Sequence, residues 1–299
     1  MPSLKTIRKR IASTKATQKI TRAMKMVAGA RLTRAQQRIL ALRPYAVKTS
    51  EVTRSVVGTM LASAEMGDEP PHPLLARRPE SRALVLVLSA DRGLCGALNT
   101  NINKAAERFW REKEAASIET RFATLGRKGR EYLQRRNATV AHDFPRIYDN
   151  LDLEKARLVT RWLVPRFDRG EVDSVYVLYS EFKSAITQRV VLERLLPVEG
   201  EKDGRAREAA VTPSDLLYEP NRDALLERLV PMYVEISIYR ALLESQASFF
   251  GAQMSAMDAA TRNAKEMIAR LTLAYNRARQ AAITKELMEI IGGAEALKD

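Results

Sequence analysis

Three kinds of side chain in this sequence could begin a reaction: one thiol, two imidazoles and a few neighbouring carboxylates. Cys95 is the single cysteine, and His72 and His142 are the two histidines. A thiol nucleophile needs a base beside it, and no spacing brings either histidine to Cys95. Nor do the three residues show the close pairing of zinc ligands. Cys95 reads as a buried structural thiol. One cysteine forms no disulfide within the chain, which suits a reducing compartment. The carboxylate pairs Asp149 with Asp152 and Glu286 with Glu289 are spaced as helix surfaces or caps would space them. The residues therefore predict no catalytic group, no metal site and no cofactor.

Two glycine-containing turns stand where an α/β domain could cradle a phosphate. Ser89-Ala90-Asp91-Arg92-Gly93-Leu94-Cys95-Gly96 follows an apolar run and precedes a helical one. It lacks the lysine and hydroxyl of G-x-x-x-x-G-K-[ST], and it lacks G-x-G-x-x-G. Gly126-Arg127-Lys128-Gly129 fails in the same way. Glycines here read as permission for tight turns.

The elements that would position these turns form three segments. From about Ser3 to Met66 the chain reads as helix, with Pro44 a candidate kink. Ala28, Leu32, Ala35, Ile39, Leu42, Ala46, Thr49, Thr53, Val56 and Met60 recur at alternating steps of four and three, a coiled-coil seam of mostly small residues. Gly67-Asp68-Glu69-Pro70-Pro71 breaks it. A second seam runs Leu243, Ala247, Phe250, Met254, Met257, Thr261, Ala264, Ile268, Leu271, Tyr275, Ala278, Ala282. Its helix is expected from Asn221, as N-cap, to Gly292-Gly293, as C-cap, with Pro231 a possible kink in its first turns. At 1.5 Å per residue such a helix spans roughly 105 Å.

Between the seams the period changes. Strands are expected at Leu84–Leu88, Phe122–Leu125, Ser174–Tyr179 and Arg189–Leu195. Helices are expected at Asn99–Lys113, Lys128–Arg135 and Leu153–Phe167. Strand alternating with helix predicts an α/β layer with parallel strands. Glu199 to Ala210, charged and glycine-containing, reads as a mobile loop. Two seams at opposite ends of the chain each need a partner. The α/β domain then acts as a connector that lets the end helices lie antiparallel. The expected parts are residues 1–66, a coiled-coil helix; 67–81, a linker; 82–212, the α/β domain; and 213–299, the second coiled-coil helix.

The chain has a net charge of +14. Thirteen Lys and Arg residues and no Asp or Glu lie between Lys5 and Lys48. Such a segment could bind nucleic acid, lie on an anionic membrane, target an organelle or face an acidic protein. Nucleic-acid binding calls for aromatic residues among the cations, yet none precedes Tyr45. The seam continuing to Met60 argues against a transit peptide. No apolar run approaches the ~18 residues of a membrane-spanning helix, so any link to a membrane is expected to go through other proteins.

Three separated stretches then resemble one family, the gamma subunits of F-type ATP synthases. They are Ile11 to Ala28 with Arg43-Pro44-Tyr45, then Ser89 to Asn99, then Tyr275-Asn276-Arg277-Ala278-Arg279-Gln280-Ala281-Ala282-Ile283-Thr284-Lys285-Glu286-Leu287 with Glu289-Ile290-Ile291. Ser255 to Ala264 is similar too. The resemblance implies an antiparallel coiled coil of the two end helices inside a hexamer of alpha and beta subunits. It also implies a Rossmann-like foot beside the epsilon subunit and the membrane c-ring. It implies a rotor without nucleotide sites of its own, turned by ion flow, which drives the beta subunits through their states. Lys19, Arg22, Met24, Arg279, Gln280, Thr284 and Glu286 would contact beta and alpha, and Leu287, Ile290 and Ile291 would form a bearing tip. The implied place is the cytoplasmic side of a bacterial inner membrane, and the start Met1-Pro2-Ser3 agrees with a bacterial origin. A basic nucleic-acid-binding coiled coil is the alternative.

The sequence departs from the family pattern at Ser248 to Gln253. Gln253 replaces a cation, Phe249 and Phe250 are expected to thicken the shaft, and Gly251 to loosen it. The paired cysteines of the light-regulated chloroplast form are missing, so no thiol switch is expected.

Overall fold

The computed structural model describes residues 3–63, 72–198 and 222–295. They form two compact units, one of Met1–Gly29 with Gln253–Asp299 and one of Ala30–Ala252. Two long helices, α1 (Leu4–Ser63) and α5 (Arg222–Glu295), contribute to both. Neither is interrupted at its proline: α1 continues through Pro44 and α5 through Pro231. Pro44 is exposed and Pro231 half-buried, and each lies in a long helix whose remaining backbone bonds carry it past one missing donor. Gly292 and Gly293 lie inside α5, which runs to Glu295, so they do not cap it. Asn221, the expected N-cap, and the loop Glu199 to Ala210 lie outside the described residues.

The larger unit is built on a five-stranded sheet. Its strands are β1 (Arg82–Leu88), β2 (Glu119–Leu125), β3 (Val140–Phe144), β4 (Ser174–Phe182) and β5 (Gln188–Leu196), ordered β3-β2-β1-β4-β5. Pairing is parallel from β3 to β4, but β5 runs antiparallel to β4. The all-parallel expectation is corrected here by chain length. Only Lys183 to Thr187 separates the two strands, too few residues for a crossover. β3 has no counterpart among the strands expected from sequence.

The sheet's two faces follow from the two-residue period of a strand. Leu84, Leu86 and Leu88 of β1 pack into a cluster with Val56 and Val57 of α1. Val159, Leu163 and Phe167 of α4 (Leu153–Asp168) and Leu226, Val230, Val234 and Ile238 of α5 complete it. Val85 and Val87 point the other way, into a cluster with Ile102, Ala106 and Phe109 of α2 (Leu98–Ala115) and Leu133 of α3 (Arg127–Gln134). The result is three layers.

Phe249 packs against the second of these clusters and stacks edge-on to Phe250, their centroids 5.5 Å apart. Gly251 is buried. A Cβ there would lie 3.2 Å from Phe182 and 3.3 Å from the Ala185 backbone, so this glycine lets α5 close on the β4–β5 hairpin instead of loosening the helix. Overfilling such a contact typically costs 1–3 kcal/mol.

In the smaller unit the N-terminal part of α1 and the C-terminal part of α5 pair antiparallel. Thr21 and Thr261 share a hydrogen bond of 2.9 Å, Lys25 reaches Asp258 at 2.5 Å, and the Thr14 hydroxyl points at the Met267 sulfur at 3.9 Å. On α5 the predicted seam residues Met254 to Ala282 are all buried or half-buried. On α1 the seam extends further back than its apolar residues suggested. Ile7, Ile11, Thr14, Gln18, Thr21 and Lys25 continue the same steps of four and three, all buried or half-buried.

Candidate functional site

The turn after β1 is fastened from within. Ser89 donates its hydroxyl to the Gly126 carbonyl at 3.0 Å and accepts from the Gly129 amide at 2.7 Å. A Cβ on Gly126, which has φ +118°, would stand 2.1 Å from the Ser89 carbonyl oxygen; one on Gly129 would stand 2.8 Å from the Ser89 hydroxyl. Glycine at both positions is what lets α3 begin against the end of β1. Asn99 accepts from the Ala90 amide at 3.0 Å and donates to the Arg92 carbonyl at 3.2 Å and to the Cys95 sulfur at 3.3 Å. Cys95 is buried, and burial pushes its thiol pKa up. It is an inert packing group.

A cavity of about 410 Å³ opens where β1, β2 and β3 end, with Asp91, Arg127, Arg130, Asp143 and Arg146 among its lining. Doubly wound sheets bind ligands at strand carboxyl ends, and the amides of a helix start would receive a phosphate there. Here those donors are already engaged. Asp91 accepts from the Arg127 amide at 3.0 Å, the Ala90 carbonyl from the Lys128 amide at 3.1 Å, and Ser89 from the Gly129 amide. Three of the lining arginines are matched as well: Arg127 pairs with Glu131 at 3.4 Å, Arg130 with Asp143 at 2.7 Å and Arg146 with Asp149 at 2.9 Å. The start of α3 is a polar joint whose first three amides are engaged within the chain.

The remaining reactive types are engaged elsewhere. His72 caps the short helical turn Pro73–Leu75 through its Nδ1, which accepts from the Leu74 amide at 3.0 Å. Burial lowers its pKa, against the opposing charges of Asp168 and Glu227. His142 stacks on Trp162 at 4.9 Å. Asp152 caps α4 by accepting from the Lys155 amide at 3.1 Å. Among the described residues no three His, Cys, Asp or Glu side chains gather as metal ligands would.

The candidate contact residues lie in the smaller unit, on two surfaces. Lys19 and Arg22 are exposed on α1, with exposed Ile20, Met26 and Val27 among them, whereas Met24 is half-buried beside the seam. Arg279, Gln280, Thr284 and Glu286 are exposed on α5. The two groups are not adjacent. The facing pairs Thr14 with Met267 and Thr21 with Thr261 put Lys19 level with residues near 263. Arg279 lies about sixteen residues further along α5, roughly 24 Å.

The same antiparallel match brings Ile7 level with residues near 275. Beyond that point few α1 residues remain to face α5. Its last turns expose every side chain from Ile283 to Ile291. Leu287 is 54% exposed, Ile290 71% and Ile291 52%. Two adjacent stripes result: Gln280, Thr284, Leu287, Ile291 and Arg279, Ile283, Glu286, Ile290. Each begins polar and ends apolar. Ile283 and Met288, 55% and 61% exposed, belong to this surface and were not singled out from sequence. The signal was available, since α5's seam outruns the beginning of α1.

A family model described as ATP synthase matches residues 3–297. The ATP synthase gamma chain of Sorangium cellulosum strain So ce56 is 55% identical, with both chains covered in full. That of Anaeromyxobacter sp. strain K is 48% identical over the whole of both. Among solved structures, a chain of the Euglena gracilis mitochondrial ATP synthase OSCP/F1/c-ring assembly in rotational state 3 shares the fold at TM-score 0.66 and 16% identity, covering 98% of this chain and 94% of its own. A chain of the Tetrahymena thermophila mitochondrial ATP synthase central stalk/c-ring gives TM-score 0.60 at 24% identity, covering 81% of this chain and 99% of its own. The nucleic-acid reading of the basic segment finds no support in these matches. From the joint at the end of β1 to the exposed last turns of α5, the chain belongs to the ATP synthase gamma chain family.

Proposed function

We propose that the chain is a non-catalytic rotor: the central-stalk shaft that couples ion flow through a membrane c-ring to ATP synthesis and hydrolysis in the beta subunits of an alpha–beta hexamer. The observation that carries this reading is the end of α5, where polar and apolar stripes are exposed together with few α1 residues left to cover them. A rod turning in a socket needs contacts that break and re-form. Exposed charges screened by water meet that need better than interlocking buried pairs. The acid-free stretch from Lys5 to Lys48 gives the shaft a positive field that acidic loops of a partner would feel as it turns. The engaged amides at the start of α3 favour leaving the nucleotide chemistry to other subunits.

Residues 1–66 and 213–299 are the shaft in this reading, 82–212 the foot beside epsilon and the c-ring, and 67–81 the linker. Lys19, Arg22, Met24, Arg279, Gln280, Thr284 and Glu286 contact beta and alpha. Leu287, Ile290 and Ile291 run in an apolar bearing. No helix among the described residues is long and apolar enough to cross a membrane. Attachment to the cytoplasmic face of a bacterial inner membrane is then through the complex.

Arg279 presents a fork of donors to a carboxylate or carbonyl, and Gln280 both donates and accepts. A charge-assisted hydrogen bond contributes about 1.5–3 kcal/mol. Replacing Arg279 and Gln280 together with alanine should therefore slow ATP synthesis by one to two decades while the complex still assembles. Synthesis at the unmodified rate, or failure to assemble, would refute the assignment. In parallel, calorimetry of the isolated chain with ATP should show no tight binding.

A further inference from the structure

The paired helix ends contain a layer in which polar side chains of the two helices bond directly to each other. We propose that Lys25 with Asp258, supported by Thr21 with Thr261, fixes the register in which the two ends of the chain pair. The observation is the combination of a shared hydroxyl bond within the seam, 2.9 Å between two threonines of which Thr21 is 7% exposed, and an ion pair of 2.5 Å one turn away.

A seam stepping by four and three repeats every seven residues, so its apolar members fit equally well after a slide of one heptad. In this chain the seam includes several small residues, Ala28, Ala264 and Ala278 among them. Packing alone distinguishes such registers weakly. The charged layer does distinguish them. One heptad further along α5 from Asp258 stands Lys265, so a slide in that direction replaces attraction at Lys25 by repulsion. The opposite slide offers Lys25 the position of Gly251, which has no side chain.

Thr21 would face Ile268 or Met254 in place of Thr261. The threonines discriminate less than the charges do. Each hydroxyl also reaches a carbonyl of its own helix, Thr21 that of Gln18 at 3.1 Å and Thr261 that of Met257 at 2.7 Å, and would keep that partner after a slide. Arg262 also touches Asp258 from its own helix, so the carboxylate stays charged and oriented when Lys25 is removed. A polar layer setting the register of a seam is an established use of polarity in paired helices; here the threonines lie within the seam and the ion pair at its half-exposed edge. The inference concerns the chain's own pairing and stands whether or not the rotor contacts proposed above are right.

The test uses the full chain with pairs of introduced cysteines. Thr14→Cys with Met267→Cys reports the native register, Thr14→Cys with Ala274→Cys a slide that brings Lys265 opposite position 25, and Thr14→Cys with Ala260→Cys the opposite slide. Disulfide yields are read for each pair in the parent, in Lys25→Asp, in Asp258→Lys and in the exchanged double variant. Lys25→Asp should move the ratio of yields toward the 14–274 pair by about ten-fold, because its new charge is attracted by Lys265. Asp258→Lys should lower the 14–267 yield, and the exchange should restore the parent ratio. Unchanged ratios in both single variants would overturn the proposal. So would a double variant that stays slipped. If a single variant loses its helical circular dichroism, the exchanged double decides. Thr21→Val with Thr261→Val should give a smaller shift in the same assay.

Discussion

The sheet-bearing body and the paired helix ends use the same apolar residues for opposite purposes. In the body the largest fully buried side chains, Tyr179, Phe122 and Phe167, fill two clusters around one sheet. In the paired ends burial is confined to one narrow seam, and Met26 and Ile290 are each 71% exposed. The body is closed on its own core. The helix ends hold together only along a line and keep the rest of their surface for contacts outside the chain. Substitutions should therefore unfold one region and uncouple the other.

Glycine makes the sharpest contrast. Gly126→Ala puts a Cβ 2.1 Å from a backbone oxygen at φ +118°, and no side-chain motion relieves it. The body should lose more than about 5 kcal/mol, the scale of a whole domain's stability. Gly29→Ala, in the helix pair, would meet only the Met254 sulfur at 3.5 Å, an ordinary contact. It should be neutral or stabilising by up to ~1 kcal/mol through helix propensity. Urea unfolding of the two variants checks both, and equal losses would dissolve the contrast.

Truncation of large side chains is the next test. Phe122→Ala removes a fully buried ring from the body and should cost about 3–5 kcal/mol. Ile283→Ala, on a side chain 55% exposed, should change the isolated chain's stability by less than ~0.5 kcal/mol. A large loss at Ile283 would mean that α5's last turns are covered by the chain itself.

Acid titration gives the smallest effect. Glu107 on the body accepts from the Tyr132 hydroxyl at 2.6 Å and pairs with Arg136 and Arg111, which lowers its pKa to about 2. Asp258 in the helix pair is lowered as well, first by the Lys25 hydrogen bond. Both are depressed, so the stability each supplies is present above the ordinary carboxylate range and is lost as pH falls through the folded value. Tyr132→Phe should raise the Glu107 value measured by carbon NMR and leave that of Asp258 unchanged. A common rise would point to a global effect in place of the local hydroxyl.

How much could be read from sequence follows the same division. β1 is five branched or long apolar residues in a row, so its burial on both faces was plain. β3, Val-Ala-His-Asp-Phe, is a half-exposed edge strand with no period to betray it. The reversal of β5 is legible in chain length, because the short gap after β4 excludes a crossover. On α1 the seam of apolar and small residues read from Ala28 leaves out Thr14, Gln18, Thr21 and Lys25, whose polarity hides positions that geometry covers. For the candidate contacts, periodicity could not separate Arg279 or Glu286 from any other exposed helix residue. Those positions rest on family resemblance, while Ile283 and Met288 stand out as apolar residues on the exposed turns beyond the last seam residue, Ala282.

Thr21 and Thr261 are 240 positions apart in the chain. At roughly 5–20 residues per second on the ribosome, the first helix waits on the order of 10 to 50 s for the segment that covers it. Throughout that interval it is a basic, seam-exposed segment beside nucleic acid and nascent chains, while the sheet between can already condense. Birth order thus makes the first helix to emerge the last to be protected. A holding chaperone, or slow synthesis of nothing but the last eighty residues or so, would act on this protein at that step.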